Sequence, residues 1–275
     1  MNAPAASIDT TRFVELNVGA YPVRIEYQWL NAERTDAPVA LFLHEGLGSV
    51  ALWKGWPQML CDRLNCRGLV YSRPGYGRST PRPSQEKWPV EFLHRQAHDV
   101  LPALLDALGI DAEERARMWL IGHSDGGTIA LLYASAFPEA LAGLAIMAPH
   151  VFVETMTVTA IEEARNTYET TSFREKLRAY HADVDSAFYG WNDAWLNPVF
   201  LHWDITQEIS SIRRPLLAIQ GCDDEYASML QIDKIKEAVP RTQLVKLTQC
   251  RHSPHRDAAG AVNDAIAAFI AAHSN

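Results

Sequence analysis

The 275-residue sequence predicts an α/β fold with a mostly parallel, eight-stranded sheet and helices on both faces. Short, continuously apolar runs, typical of strands covered on both faces, alternate with stretches whose apolar residues recur at helical spacing. This alternation stops at residues 150–210, which are rich in aromatic residues. We therefore expect a core domain formed by residues 1–149 and 211–275, and a helical cap formed by residues 150–210 after the sixth strand.

Two strands at the start of the chain differ from the later ones. They alternate apolar and polar residues and are joined by Gly19-Ala20, which predicts an antiparallel hairpin at a sheet edge. Most of the later runs are continuously apolar and predict buried strands. In chain order the predicted strands are residues 13–18, 21–29, 38–43, 68–72, 118–121, 141–148, 215–220 and 243–247.

The helices are predicted from apolar spacing and from the residues that end them. Between residues 90 and 108, for example, apolar residues recur at helical spacing and Gly109 closes the run. The predicted helices of the core are residues 56–64, 90–108, 128–137, 227–238 and 258–272.

The motif Gly-His-Ser-Asp-Gly-Gly at residues 122–127 lies between an apolar run and a helical pattern. A strand that turns directly into a helix forces its central residue, Ser124, into a strained bend. Gly122 and Gly126 leave room for the neighbouring backbone there. The turn would hold the Ser124 hydroxyl at the positive end of a helix, which suits a nucleophile. The alternative is that Ser124 only caps the helix.

Composition excludes some classes of partner. The net charge of -8 and the pI near 5.7 argue against a nucleic-acid or anionic-membrane partner. The segment 1–11 does not resemble a signal peptide, and no apolar stretch is long enough to span a membrane. The four cysteines form no C-x-x-C pair, which favours a reducing cytoplasm over a zinc site or disulfides.

A serine nucleophile needs a base, and the base needs an acid that orients it. Both residue types follow later predicted strands. The sequence Gly-Cys-Asp-Asp-Glu at 221–225 follows one strand, and Cys-Arg-His-Ser-Pro-His at 250–255 follows the next. The resulting order of serine, aspartate and histidine is typical of one hydrolase architecture.

These three motifs, in this order, resemble those of the serine hydrolases of the α/β-hydrolase fold, of the carboxylesterase-like kind with a cap insertion. The resemblance covers nearly the whole chain. It implies that Ser124 is the nucleophile, that Asp224 is the acid and that His252 is the base. Asp223 and His255 are the nearest competitors for the last two roles.

The resemblance also implies an oxyanion hole. One donor would be the backbone N–H of Asp125, and the other would come from the loop after His44. We place the second donor at Gly46, with Glu45 as the alternative because it stands where the family usually has glycine. His44 and His123 are expected to have structural roles. The turn at residues 72–79 resembles an arginine-rich turn of the family and is expected to be structural as well.

The aromatic residues of the cap predict a mostly apolar substrate cavity, and we take Trp191 and Trp195 as substrate-binding candidates. Glu45 is a third candidate. Together with Asp125 it would bring negative charge to the cavity, where it could meet a substrate ammonium, as in the amino-acid-ester hydrolases of this family. An aspartate in the first turn of a helix is also favoured by the helix dipole alone.

The expected function is hydrolysis of a small, mostly apolar carboxylic ester through an acyl-enzyme. The same triad would also serve a C–C bond hydrolase, an amidase or an acyltransferase. A cofactor-free peroxidase and a non-catalytic ligand sensor are alternatives of other classes.

No cofactor and no metal are called for by the predicted chemistry. His94 and His98 share a helix face but have no evident third ligand in the sequence, and we expect both to be solvated. The expected partner is a small-molecule substrate, and a homodimer is left open.

Overall fold

A computed structural model describes residues 11–19 and 21–274. Eight strands form one sheet in the order β1-β2-β4-β3-β5-β6-β7-β8. β1 pairs with β2 and β2 with β4 in antiparallel fashion, and every other neighbouring pair is parallel. The strands are β1 Arg12–Val18, β2 Tyr21–Leu30, β3 Val39–Leu43, β4 Arg67–Tyr71, β5 Trp119–His123, β6 Gly143–Met147, β7 Leu216–Gly221 and β8 Gln243–Leu247.

The predicted fold class and sheet are therefore confirmed. Val18 pairs with Tyr21 at the tip of the edge hairpin, and Gly19 has the positive φ of 77° that the tight turn requires. Ala20 of that predicted turn, and residues 1–10 of the predicted tail, lie outside the described residues.

Helices cover both faces of the sheet. They are α1 Trp56–Leu64, α2 Phe92–Arg95, α3 Leu101–Ala107, α4 Ala112–Ala116, α5 Asp125–Ala136, α6 Thr155–Thr170, α7 Phe173–Leu177, α8 Val184–Trp195, α9 Thr206–Ile209, α10 Leu230–Ala238, α11 Pro254–Asp257 and α12 Ala259–His273. A π-helical turn, Gln96–Val100, joins α2 to α3, and a 3₁₀ helix spans Pro198–His202. One buried cluster includes α3 and α5, and a second, on the opposite face, includes α1 and α12.

The helices differ from the predicted ones at several places. The predicted helix 90–108 is divided into α2, the π-helical turn and α3, α10 begins at Leu230 rather than at 227, and α11 was not predicted. Helix α5 begins at Asp125 rather than at 128, because the helix follows the nucleophile turn without a linker. Helix α4 was not predicted, although Asp111 caps it by accepting a hydrogen bond from the backbone N–H of Glu114.

Helices α6 to α9 lie between β6 and β7, where the sequence predicts the cap. Among the described residues of this segment, the only β-structure is an isolated bridge between Phe152 and Asp204. The division into a core and a cap at residues 150 and 210 stays a prediction. Within residues 11–19 and 21–274, no helix has the length and apolar character needed to cross a membrane.

Candidate active site

The turn after β5 has the strained geometry that the sequence predicts. Ser124 has φ 52° and ψ −119°, a region that non-glycine residues rarely occupy. A Cβ on Gly122 would lie 2.4 Å from the carbonyl oxygen of Gly126, and one on Gly126 would lie 1.9 Å from that of Leu43. Glycine is therefore required on both sides of Ser124, as predicted.

Three side chains from different strand ends converge at this turn. The imidazole Nε2 of His252, after β8, lies 3.0 Å from the Ser124 hydroxyl oxygen. Its Nδ1 lies 2.8 Å and 2.9 Å from the two carboxylate oxygens of Asp224, which follows β7. Because a carboxylate only accepts, Nδ1 carries the hydrogen and Nε2 is left to accept the serine hydroxyl.

Asp224 is held as a buried carboxylate. Its oxygens also accept hydrogen bonds from the backbone N–H groups of Tyr226 and Ala227 and from the side-chain amide of Gln220. Burial acts to raise the pKa of Asp224, but the hydrogen bond and charge of His252 outweigh it, so its pKa is below the ordinary value. The carboxylate is therefore ionised and cannot rotate away from His252.

The two competitors are placed elsewhere. Asp223 is exposed to solvent. His255 is buried beside the rings of Trp53 and Trp56, and neither of its nitrogens has a hydrogen-bond partner among the described residues. Burial lowers the pKa of His255 to about 2, so its ring is neutral.

Two backbone N–H groups are available to a ligand beside Ser124. The first hydrogen bond of α5 runs from Thr128 to the carbonyl of Ser124, so the N–H of Asp125 has no partner within the helix. Gly46 lies in the loop after β3 and lines the same cavity. A Cβ on Gly46 would lie 2.3 Å from the indole nitrogen of Trp191, so this loop and α8 are in close contact.

The side chain of Asp125 is occupied by protein donors. Its Oδ2 lies 3.3 Å from the guanidinium of Arg73, and its Oδ1 accepts from the indole N–H of Trp195 at 3.2 Å. Both Asp125 and Arg73 are 1% exposed. Burial raises the pKa of Asp125, and the charge and hydrogen bonds of Arg73 and Trp195 oppose that shift. The predicted role of Asp125 as a backbone donor is compatible with these contacts, and its buried carboxylate is already bound by Arg73 and Trp195.

Glu45 lines the cavity and also contacts the core. Its carboxylate lies 3.5 Å from Nδ1 of His123 and 3.7 Å from the guanidinium of Arg256. Nε2 of His123 donates to the backbone carbonyl of His252 at 2.7 Å. Burial acts to raise the pKa of Glu45, but the nearby side chains of His123 and Arg256 hold it well below its usual range. Glu45 is therefore an anion at the cavity wall.

The cavity at Ser124 has a volume of about 120 Å³. It is lined by Glu45, Gly46, Leu47, Ser124, Asp125, His150, Thr157, Ile161, Trp191, Trp195, Tyr226 and His252. Sequence reasoning missed His150 and Tyr226. Burial lowers the pKa of His150 to about 4, so it presents a neutral ring, and its Nε2 lies 3.4 Å from the carbonyl of Tyr226. His150 follows the predicted strand 141–148, and Tyr226 follows the acidic turn at residues 221–225. Their positions after the carboxyl ends of predicted strands are the signal that could have identified them.

His94 and His98 are less solvated than predicted. Nε2 of His94 lies 3.0 Å from the carboxylate of Glu208 on α9, and Nε2 of His98 lies 4.0 Å from it. Helix α9 brings this acid to the pair from more than a hundred residues away, a contact with no spacing signal in the sequence. The part of the chain that the structure describes holds no group of three or more histidine, cysteine, aspartate or glutamate side chains arranged for a metal ion.

The eight-stranded sheet, the strained serine turn and the side chains that converge at the strand ends together define the α/β-hydrolase fold class. The model of the alpha/beta hydrolase family matches residues 40–265, and the chain belongs to that family.

Similar proteins carry several activities in their names. Epoxide hydrolase 4 of Mus musculus is 28% identical over 157 residues, which cover 56% of this chain and 40% of that protein. The 2-hydroxy-6-oxo-6-phenylhexa-2,4-dienoate hydrolase of Comamonas testosteroni is 24% identical over 249 residues, covering 80% and 83%. A thermophilic esterase from Thermogutta terrifontis superposes with a TM-score of 0.72 at 19% identity, covering 96% and 100%, which shows the shared fold.

Proposed function

We propose that this protein is a serine hydrolase that cleaves a small, mostly apolar carboxylic ester through an acyl-enzyme. The observation that carries the proposal is the distance of 3.0 Å between the Ser124 hydroxyl and Nε2 of a histidine whose Nδ1 is bound to Asp224. A serine hydroxyl becomes a nucleophile when a base within hydrogen-bond reach removes its proton. Asp224 would keep the imidazole in the tautomer that accepts this proton.

In the proposed reaction, the Ser124 oxygen attacks the carbonyl carbon while His252 takes the hydroxyl proton. The resulting oxyanion would be bound by the N–H groups of Gly46 and Asp125. As the C–O bond to the alcohol breaks, His252 returns the proton to the leaving oxygen. A water molecule then repeats both steps on the acyl-enzyme, which releases the carboxylic acid and regenerates Ser124.

The size of the cavity supports a small substrate. Cavities that enclose a drug-sized ligand measure roughly 300–1,000 Å³, whereas this one measures about 120 Å³. The indole rings of Trp191 and Trp195 and the side chain of Ile161 make part of its wall apolar. We expect a short acyl group to fit beneath these rings with little displacement of α8.

The first experiment compares wild-type protein with Ser124→Ala on p-nitrophenyl acetate, butyrate and octanoate. We expect the wild type to favour the shorter esters. Ser124→Ala should lower kcat by at least about 10³-fold while the thermal unfolding curve stays within a few degrees of the wild type. Equal turnover by the two proteins would refute the proposed nucleophile.

C–C bond hydrolysis is a second candidate, because a relative that matches 80% of this chain is named a 2-hydroxy-6-oxo-6-phenylhexa-2,4-dienoate hydrolase. The same nucleophile, base and oxyanion donors would serve a diketone-type substrate. A preference of 10-fold or more in kcat/KM for such a substrate over every ester would favour this candidate. The epoxide hydrolase relative suggests no third candidate. The epoxide hydrolases that this chain resembles in fold use an aspartate as the nucleophile, whereas this chain has Ser124 at that position.

A further inference from the structure

Arg73 has an unusual setting for a charged residue. It follows β4 in the turn that the sequence predicts to be structural, and its side chain is 1% exposed. A buried guanidinium is costly unless its hydrogens are bound. Here they are directed at the loop after β3 and at the first residue of α5, which are the two segments that carry the proposed oxyanion donors.

The peptide group between Glu45 and Gly46 is the main target. Its carbonyl oxygen accepts from Nη2 of Arg73 at 2.8 Å, from Nδ1 of His44 at 2.7 Å and from the backbone N–H of Gly48 at 3.0 Å. In a trans peptide the N–H points opposite to the carbonyl, so these donors also fix the direction of the Gly46 N–H. That N–H belongs to a residue of the cavity wall.

His44 supports the same arrangement. Since the carbonyl of Glu45 only accepts, Nδ1 of His44 carries the hydrogen, and its Nε2 is the acceptor for the backbone N–H of Arg73 at 3.0 Å. Burial, and then the charge of Arg73, lower the pKa of His44 well below its ordinary value, which keeps this neutral tautomer. The guanidinium also lies 4.6 Å from the centre of the Tyr76 ring, which limits its movement.

The second target is Asp125. The guanidinium nitrogens lie 3.3 Å and 3.4 Å from its Oδ2, and the backbone N–H of Asp125 is the other proposed donor. Arg73 therefore bridges the two segments. A cation bound to the carbonyl side of a peptide also polarises it, which strengthens the N–H on the other side as a donor.

We propose that Arg73 is a positioning residue for catalysis, because its buried guanidinium fixes the two oxyanion donors, Gly46 and Asp125, at one separation and orientation. This inference rests on the proposed serine-hydrolase function. Arg73 itself does not touch the substrate. Its loss should therefore raise the barrier of the chemical step and leave the binding of the ground-state ester nearly unchanged.

The test compares an oxoester with the matching thionoester, in which sulfur replaces the carbonyl oxygen. Sulfur is a weak hydrogen-bond acceptor, so the ratio of the two kcat values reports on the oxyanion donors. The variants are Arg73→Lys, which keeps the charge, and the double variant Arg73→Gln/Asp125→Asn, which removes the buried pair as a unit. Arg78→Lys is the matched control, because Arg78 lies in the same turn and pairs with Glu26 outside the cavity.

We expect the double variant to lose about 10²-fold in kcat on the oxoester, the size of effect seen when one oxyanion donor is removed. The loss on the thionoester should be at least 10-fold smaller, with KM changed less than 3-fold. On the oxoester, Arg73→Lys should lose less kcat than the double variant does, and Arg78→Lys should have the kcat of the wild type. Endpoint labelling by a fluorophosphonate counts the folded sites, so that a fraction of unfolded protein does not affect kcat.

Equal losses on oxoester and thionoester in both Arg73 variants would overturn the inference and leave Arg73 a structural residue. That result is distinct from failure of the proposed function. If Ser124→Ala hydrolyses the oxoester as fast as the wild type, the function itself is refuted, whatever the Arg73 variants show.

Discussion

Gly126 and Gly127 provide a matched pair of substitutions in the first turn of α5. A Cβ on Gly126 would lie 1.9 Å from the carbonyl oxygen of Leu43 and 2.3 Å from its carbon, both in the backbone of β3. A Cβ on Gly127 would have the Cβ of Pro149, at 3.1 Å, as its nearest neighbour. The variants Gly126→Ala and Gly127→Ala thus make the same chemical change against two different surroundings.

The expected difference in stability follows from these distances. Alanine is favoured over glycine inside a helix by about 1 kcal/mol, and both variants share this gain. To reach an ordinary contact of 3.4 Å, Gly126→Ala must separate α5 from the backbone of β3 by about 1.5 Å. Overpacking in a core costs about 1–3 kcal/mol. Because the contact is with backbone in the middle of the sheet, we place this cost at its upper end, about 3 kcal/mol. After the helix gain is subtracted, Gly126→Ala should lose about 2 kcal/mol in the free energy of unfolding, whereas Gly127→Ala should change it by no more than about 1 kcal/mol.

Urea unfolding followed by tryptophan fluorescence measures these free energies, and hydrolysis of p-nitrophenyl acetate measures the effect on the site. We expect Gly126→Ala to lose most of its turnover as well, because the shift would move Ser124 away from His252. If Gly126→Ala unfolds at the same urea concentration as the wild type, the close-approach argument is wrong. Equal destabilisation of both variants would assign the effect to the helix rather than to β3.

Two further predictions concern buried polar groups. The pKa of His255 is about 2 in the folded chain, so the unfolded chain alone takes up a proton as the pH falls below about 6.5. Stability should therefore fall with pH below that value, and His255→Leu should make the slope between pH 6 and 5 shallower by up to about 1.4 kcal/mol per unit in urea unfolding. Trp195→Phe removes a donor from the buried Asp125 carboxylate and should cost about 1–3 kcal/mol, measured as a lower Tm. An unchanged slope or an unchanged Tm would contradict the respective argument.

The sheet could be predicted from the sequence because its signals are local. Residues 39–43, 119–123 and 216–221 are buried at every position and are apolar in nearly all of them. The candidate triad could be found for a related reason, since Ser124 and Asp224 follow two of these buried strands and His252 follows β8, the next strand along the chain. The carboxyl ends of parallel strands share one edge of a sheet, so residues far apart in sequence are brought together there.

The contacts of Arg73 could not be predicted in this way. They link the turn after β4 to His44, to the carbonyl of Glu45 and to Asp125, and no periodicity or spacing relates these positions. The sequence shows only that a charged residue follows a buried strand. Its burial depends on how the loops after β3, β4 and β5 pack on one another, which is a property of the tertiary structure.

The start of α5 shows a different limit. Glycines in a sequence indicate turns, and the prediction accordingly begins the helix at 128, after Gly127. In the structure the glycines at 126 and 127 are helical, and Gly126 is there because β3 passes too close for any side chain. A glycine that serves close packing and one that serves a turn look alike in the sequence.

The contacts of α8 connect the aromatic segment to the candidate chemistry. Trp191 packs against Gly46 and Trp195 donates to Asp125, so this helix touches both residues whose N–H groups we propose as oxyanion donors. An outward movement of α8 would leave the buried carboxylate of Asp125 with Arg73 as its remaining side-chain partner. Leaving a buried acceptor without its donor costs about 1–3 kcal/mol. The hydrogen bond from Trp195 to Asp125 therefore favours the observed position of α8 over the cavity. The position of α8 and the geometry of the two proposed oxyanion donors depend on the same contacts.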